Sequence, residues 1–183
     1  RRSWMELSEG RERPRQGGLR SVNPLLTTTW DQLPYYNALC PNDGENQTYT
    51  GCVATAMAQI MRYHQWPTTG FGTHRYNHAT YGEQFADFVH TTYQYSLMPN
   101  ELDEHSTQQQ VNAVATLMYH CGVAVNMNYG VNESAAIDES ARAAFLNHFG
   151  YEAQLATKSY QYYVAGYGLG GWYTNTVIED EEW

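Results

Sequence analysis

A cysteine at the start of an apolar segment is the first feature of this sequence that could do chemistry. Cys52 follows Gly51, where a polar loop meets the first turn of a predicted helix. Unpaired backbone N–H groups and the helix dipole favour an anion there, and the thiolate is the nucleophilic form of cysteine. Gly51 would let a substrate backbone approach closely. The position alone leaves two interpretations open, a catalytic thiol or a buried and unreactive cysteine.

The other two cysteines are weaker candidates for a nucleophile. Cys121 lies at the end of another predicted helix, where the dipole opposes an anion, and we expect it to pack in the core. Cys40 precedes Pro41 in a loop that offers no activating neighbour. The cysteines and histidines show no spacing typical of zinc sites, so the sequence predicts neither a metal nor another cofactor.

Three segments have the apolar periodicity of helices. The first covers 52–64, ahead of Pro67, and is apolar or small on all sides, which predicts a helix inside the protein. The second covers 108–121, with Gly122 as the expected stop, and the third covers 134–149. The residues that recur at helical spacing are Val53, Met57, Ile60, Met61 and His64 in the first, Val111, Val114, Ala115 and Met118 in the second, and Ile137, Ala141, Ala144 and Phe145 in the third.

Strands are predicted after these helices. Residues 123–129 alternate in polarity, and 151–178 are typical of strands joined by a glycine-rich turn at 166–171. That turn lacks the strand-to-helix setting of a nucleotide-binding loop. Residues 21–51 suit loops and short strands, whereas the aromatic-rich segment 71–100 gives no clear assignment.

Charge and composition exclude several classes of protein. The net charge is −9 over 183 residues, so a nucleic-acid partner is not expected. No apolar run approaches the roughly 20 residues of a membrane span. Residues 1–20 carry six arginines and three glutamates, a charge of +3, and the remainder carries −12. The arginine-rich segment has no apolar periodicity and is predicted to be an exposed, protease-accessible linker.

Longer motifs surround the cysteine. The segment 51–67 reads GCVATAMAQIMRYHQWP, and 30–37 reads WDQLPYYN. Further blocks are 113–130, which ends in VAVNMNYG, and 144–151, AFLNHFGY. Together they resemble the streptopain-type bacterial cysteine peptidases, and the loop before Cys52 favours the interpain-like members of that family. The resemblance covers about 22–183 and implies an α+β, papain-like fold.

The resemblance implies roles for individual residues. Cys52 falls on the nucleophile. Gln32 falls on the glutamine whose side-chain amide forms the oxyanion hole with the Cys52 backbone N–H, and such donors each stabilise the transition state by about 3 kcal/mol. Substrate-binding positions are expected at Gly51, Val53, Gly130 and Ser134.

The catalytic histidine of the family has no counterpart in the sequence. In the family it lies in a strand of the G-G-H-A-F type, followed by an N-W-G-W-G-G type segment, and neither motif occurs here. His64 is twelve residues along the helix from Cys52, about 18 Å by helical rise, too far to act as its base. We therefore expect residues 21–183 to form the helical, nucleophile-bearing half of the catalytic domain. The His-bearing β half would then be missing from this chain. It would lie on a second fragment left by processing or in further sequence, or be absent altogether.

Function follows from the resemblance as an expectation. It implies a secreted bacterial cysteine endopeptidase, made as a zymogen, that acts on protein or peptide substrates without a cofactor. Residues 1–20 would be the tail of the prosegment or the processing linker. Because the histidine motif is lacking, a truncated or degenerate peptidase domain that binds peptides without cutting them stays open. A cysteine-based transferase shares the chemistry but not the motifs.

Overall fold

The computed structural model describes residues 24–151 together with the backbone of two strands at 156–164 and 171–179. The predicted linker at 1–20 lies outside the described residues. In chain order the elements are helix α1 (Cys52–His64), strands β1 (Thr73–His78) and β2 (Gly82–Asp87), a 3-10 turn (Tyr95–Leu97), helices α2 (Gln108–Ala124) and α3 (Asp138–Ala144), a π-helical turn (Phe145–Phe149), and strands β3 (Ala156–Val164) and β4 (Gly171–Glu179). The fold is α+β, as the sequence predicts.

Helix α1 begins at Cys52 and ends at His64, where the sequence places its ends. Gln65 closes it in a left-handed conformation, with φ 50°. The expectation that the helix is enclosed on all sides is wrong. The face that carries Met57 and Met61 is buried, whereas Ile60 and His64 are exposed. A helix that is mostly apolar or small on all sides can therefore still leave one face exposed.

Helix α2 packs against α1 and has the predicted buried stripe. It begins with a capping box, in which Thr107 and Gln110 bind each other's backbone N–H groups. Its predicted end at Gly122 is wrong, since the helix continues to Ala124. A Cβ at Gly122 would lie 2.2 Å from the Tyr129 hydroxyl oxygen, so this glycine permits close packing inside the helix rather than stopping it. The predicted strand at 123–129 is correspondingly reduced to one bridge, between 128 and 135.

The third helix is shorter than predicted. Residues 134–137 are not helical; α3 begins at Asp138, and the chain from Phe145 forms a π-helical turn. Ile137 was expected to point inward but is 69% exposed, because it precedes the helix. Ala144 is buried as predicted. Acidic residues in the first turn of α3 favour a start there, since they lie at the positive end of the helix dipole.

Two antiparallel hairpins complete the fold. Strands β1 and β2 pair from Thr73 with Asp87 to His78 with Gly82, in the aromatic-rich segment that the sequence left unassigned. Strands β3 and β4 pair as the sequence predicts, and most of the glycine-rich turn between them lies outside the described residues.

The core lies between α1 and α2, and it contains two of the three cysteines. The Cys121 sulfur lies 3.7 Å from the Met61 sulfur, and the core packing predicted for Cys121 is confirmed. Cys40 is also buried. Across the described residues, no helix combines the length and the apolar character that crossing a bilayer requires.

Candidate active site

Cys52 is the exposed cysteine of the chain and the first residue of α1. Neither its thiol nor its backbone N–H has a hydrogen-bond partner among the described residues. The buried cysteines differ in their chemistry. Burial raises the pKa of Cys40 to about 12, and burial also raises the pKa of Cys121. The structure therefore presents one thiol to a substrate, at the positive end of a helix dipole.

The peptide group between Gly51 and Cys52 has a fixed orientation. The Gly51 carbonyl oxygen accepts hydrogen bonds from both the N–H and the hydroxyl of Thr55, each at 3.0 Å. Because a trans peptide is planar, its N–H points opposite to its carbonyl. The Cys52 N–H is consequently directed away from the helix.

Gln32 is connected to the same glycine. Its side-chain oxygen accepts a hydrogen bond from the Gly51 N–H at 3.1 Å. A backbone N–H can only donate, so the oxygen of the amide must face Gly51, and the Nε2 group is left as a donor. The structure thus brings together the two residues that the sequence singled out for catalysis, Cys52 and Gln32, through Gly51.

Buried aromatic residues hold the loop that carries Gln32. The Trp30 indole N–H donates to the Pro99 carbonyl at 2.9 Å, and the Tyr36 hydroxyl accepts from the Leu102 N–H at 2.9 Å. These two anchors flank Gln32 in the sequence. The loop is therefore fixed on both sides, which limits the conformations available to the Gln32 amide.

The loop at 130–134 lies against Gly51. The Ser134 hydroxyl is buried; it donates to the Tyr49 carbonyl at 2.8 Å and accepts from the Gly130 N–H at 3.0 Å. The Ser134 carbonyl would lie 3.3 Å from a Cβ on Gly51. The hydroxyl of Ser134 is thus used within the protein, and Val53 is half-buried beside Cys52. Substrate binding at Gly51, Val53, Gly130 and Ser134 stays a prediction.

The contact between Gly51 and Met127 is a part of the site that sequence reasoning missed. Gly51 has φ 88°, and a Cβ built on it would lie 2.5 Å from both the sulfur and the terminal methyl of the buried Met127. Glycine is required here both by the backbone conformation and by this neighbour. The signal in the sequence was the glycine itself, which directly precedes Cys52, but nothing in the pattern indicated what it packs against.

The seven histidines of the chain all lie within the described residues, and their hydrogen bonds, ion pairs and ring contacts there involve residues other than Cys52. His64 has Tyr63 and Tyr151 as ring neighbours. It is exposed, whereas the prediction of an internal helix implied that it would be packed. His120 is buried and bonded to the Tyr93 hydroxyl at 2.9 Å. The described residues also contain no group of three or more His, Cys, Asp or Glu side chains that could hold a metal ion.

Comparison with known proteins identifies the family. A model of the Peptidase C10 family matches residues 30–174. The chain is 32% identical over 145 residues to the thiol protease/hemagglutinin PrtT of Porphyromonas gingivalis, covering 75% of this chain and 16% of PrtT. It is 33% identical over 110 residues to streptopain of Streptococcus pyogenes, covering 56% of this chain and 27% of streptopain. The chain therefore spans a minor part of these curated relatives.

Solved structures agree with this relationship. Active interpain A, a cysteine protease of Prevotella intermedia, matches with a TM-score of 0.71 and 32% identity, over 85% of this chain and 75% of that one. A prointerpain A fragment matches with a TM-score of 0.70 and 39% identity, over 74% of this chain and 46% of that one. The papain-like fold and the resemblance to interpain-like proteins are confirmed. The chain belongs to the Peptidase C10 family of cysteine peptidases.

Proposed function

We propose that this chain forms the nucleophile-bearing part of a secreted bacterial cysteine endopeptidase. Cys52 attacks the peptide bond, and the Gln32 Nε2 group and the Cys52 N–H bind the oxyanion. The observation that carries the proposal is the hydrogen bond from the Gly51 N–H to the Gln32 side-chain oxygen, beside an exposed thiol at a helix start. This bond orients one donor, and Thr55 orients the other through the Gly51 carbonyl.

The reaction proceeds through an acyl-enzyme. The general base takes the thiol proton, the Cys52 sulfur forms a bond to the carbonyl carbon of the substrate, and the carbonyl electron pair moves onto oxygen as an oxyanion. When the oxyanion collapses, the C–N bond breaks and the amine leaves with a proton from the general acid. Water then attacks the thioester, releasing the carboxylic acid and the free thiol. Fixed N–H donors stabilise both tetrahedral species more than the planar substrate.

The general base is a histidine from outside these 183 residues. A cysteine peptidase needs an imidazole within hydrogen-bond reach of the thiol, and the hydrogen bonds and ring contacts of the histidines with described residues involve partners other than Cys52. A second fragment or further sequence carrying this histidine would complete the site. Proteins and peptides are the expected substrates, bound by the backbone around Gly51, Gly130 and Ser134 and by Val53.

Synthesis as a zymogen is the second element of the proposal. One matching structure is, by its name, prointerpain A, a precursor form. Residues 1–20 of this chain carry +3 against −12 for the remainder, so a basic prosegment tail and an acidic catalytic part would attract each other. The glycine-containing segment 16–20 would be the cleavage site that maturation requires.

Turnover of a fluorogenic peptide by the active protein tests the proposal. Replacing Cys52 by alanine should abolish activity, while a Cys40→Ala variant should retain it, since Cys40 is buried. Mass spectrometry of a slowly hydrolysed substrate should find the acyl group on the peptide that contains Cys52. If the protein binds peptides tightly but does not cleave them, with or without Cys52→Ala, the chain is a non-catalytic peptide-binding module rather than an enzyme.

A further inference from the structure

Side chains on one face of β1 form hydrogen bonds to successive residues of the segment 126–128, which supports the candidate site. His74 Nε2 lies 2.7 Å from Asn126 Oδ1, and His78 Nε2 lies 3.1 Å from Asn128 Oδ1. Between them, the Tyr76 hydroxyl donates to the Met127 carbonyl at 2.6 Å. Positions 74, 76 and 78 share one face of the strand because side chains alternate. The hairpin is therefore attached to residues 126–128 by three successive contacts.

The backbone of Met127 is held at both of its polar groups. Its N–H donates to the Gly122 carbonyl at 3.0 Å, at the end of α2, and its carbonyl accepts from Tyr76. Burial raises the pKa of Tyr76, so the hydroxyl keeps its proton and remains a donor. Asn126 precedes Met127 in a left-handed conformation, with φ 52°, so this segment is not regular secondary structure. Its position depends on such contacts rather than on a continuous ladder.

The Met127 side chain completes the contacts that surround Gly51. The Gly51 N–H donates to Gln32 and its carbonyl accepts from Thr55, while its Cα faces the Met127 sulfur and methyl. A shift of Met127 toward or away from Gly51 would therefore move the peptide group that carries the Cys52 N–H. Because the site is close-packed, such a shift is not absorbed nearby.

We propose that Tyr76 is a positioning residue for the nucleophile, acting through Met127 and Gly51 on the Cys52 thiol and N–H. Tyr76 itself does not touch the reacting atoms. This inference rests on the proposed peptidase function and adds to it that the β1–β2 hairpin sets the geometry of the active centre. A small error in the position of a catalytic group costs rate rather than binding, so the loss should appear in kcat.

A second tyrosine in the same region provides a matched control. The Tyr119 hydroxyl donates to the Gln84 side-chain oxygen at 3.1 Å and accepts from the Phe85 N–H at 3.4 Å, which ties β2 to α2. Its ring stacks on Tyr129 at 6.3 Å, and among the described residues no hydrogen bond joins it to Met127. Replacing Tyr119 by phenylalanine removes the hydroxyl that ties β2 to α2 but leaves the bond from Tyr76 to the Met127 carbonyl in place. Comparing this variant with Tyr76→Phe therefore separates a general structural role of the hairpin from the positioning of Cys52.

The experiment compares Tyr76→Phe, Tyr119→Phe and Met127→Leu in the active protein. For each variant we would measure kcat and KM on a peptide, the rate of iodoacetamide reaction at Cys52 and the free energy of unfolding. We expect Tyr76→Phe and Met127→Leu to lower kcat about 10-fold with KM changed less than about 2-fold. In these two variants, the rate of Cys52 alkylation should differ from that of the parent by at least about 3-fold. Tyr119→Phe should leave kcat and alkylation within about 2-fold of the parent.

Equal kinetics for Tyr76→Phe and Tyr119→Phe would overturn the inference. If the parent protein has no peptidase activity when the histidine-bearing part is present, or if Cys52→Ala keeps that activity, the proposed function fails instead. In that case the alkylation rate of Cys52 still decides the positioning role, because it requires no substrate. Unchanged alkylation in both Tyr76→Phe and Met127→Leu would then refute it.

Discussion

The side-chain oxygen of Gln32 accepts a hydrogen bond from the Gly51 N–H at 3.1 Å, so the residue before Cys52 orients the amide of a residue nineteen positions away. This contact fixes which end of the amide is available. The oxygen is used, and the nitrogen can donate to a developing oxyanion. A carboxylate at position 32 would accept the same bond from Gly51 but could donate nothing.

Substitutions at Gln32 should therefore lower the rate of the chemical step. We expect Gln32→Ala to reduce kcat by roughly 10- to 1000-fold, as losing an oxyanion donor does. Gln32→Glu should be at least as damaging, since it keeps the bond to Gly51 but places a negative charge beside the oxyanion. KM should move little, because the lost bond strengthens mainly in the transition state. Steady-state kinetics on a peptide substrate measure both parameters.

The free energy of unfolding provides the control for this pair of variants. Gln32 lies in a surface loop and is half-buried, so both variants should unfold within about 1 kcal/mol of the parent. An unchanged kcat in Gln32→Glu would remove Gln32 from the oxyanion hole and leave the Cys52 N–H as the proposed donor.

The three thiols should differ sharply in reactivity toward iodoacetamide. Cys52 is exposed, whereas burial shields Cys40 and Cys121 and raises the pKa of each. We expect Cys52 to be alkylated at least about 100-fold faster near neutral pH, since the thiolate is the reacting form. Peptide mapping after brief treatment gives the ratio. In denaturant the three rates should converge, and similar rates in the folded protein would contradict the structure.

The sequence predicted the nucleophile helix and the main core stripe because both rest on local patterns. Cys52 begins α1 where a loop meets an apolar run, and the buried face of α2 from Val111 to Met118 follows helical spacing. The β1–β2 hairpin escaped prediction because both of its strands are largely polar. Gly122 misled for a related reason, since a glycine needed for contact with Tyr129 looks the same as one that ends a helix.

The candidate site was predictable as a set of residues but not as an arrangement. The motifs around Gln32 and Cys52 implied an oxyanion hole, yet they contained no information on which atom of the amide faces Gly51. Met127, which supports Gly51, lies about 75 residues downstream of Cys52. Methionine is also a side chain that any core position could carry. Such contacts depend on tertiary packing, which a local pattern does not encode.

Replacing Gly51 by alanine should destabilise the protein for two separable reasons. Gly51 has φ 88°, which costs a residue with a Cβ about 1–3 kcal/mol, and the added methyl overlaps Met127. Gly44 offers a matched control, because it has φ 99° but nothing within 4 Å of its Cβ position. Gly44→Ala should therefore show the backbone cost alone, while Gly51→Ala adds about 1–3 kcal/mol of overpacking. Denaturant unfolding of both variants measures the difference.

A double-mutant cycle checks whether the additional cost of Gly51→Ala comes from the overlap with Met127. Combining Gly51→Ala with Met127→Ala should cost less than the two single changes together, by about 1 kcal/mol or more, because the truncated side chain makes room for the methyl. Strict additivity would show that the overlap with Met127 does not determine the cost at Gly51.

Acid should destabilise the folded chain through His120. Burial lowers the pKa of His120 to about 4, against an ordinary value of 6.5. Between these values the unfolded chain binds a proton and the folded chain does not, so stability rises with pH in that window. The contribution is complete above pH 6.5 and falls away as the pH drops toward 4, by about 3 kcal/mol in total. The free energy of unfolding measured from pH 4 to 7 should show this slope.

A His120→Asn variant isolates the contribution, because asparagine can still meet the Tyr93 hydroxyl but does not titrate. Its unfolding free energy at pH 7 should be lower than that of the parent, and its slope between pH 4 and 6.5 should be flatter. A His105→Asn variant controls for the substitution itself, since the His105 side chain is 82% exposed. A parental slope in His120→Asn would mean that other groups account for the acid sensitivity and that His120 is protonated without loss of the fold.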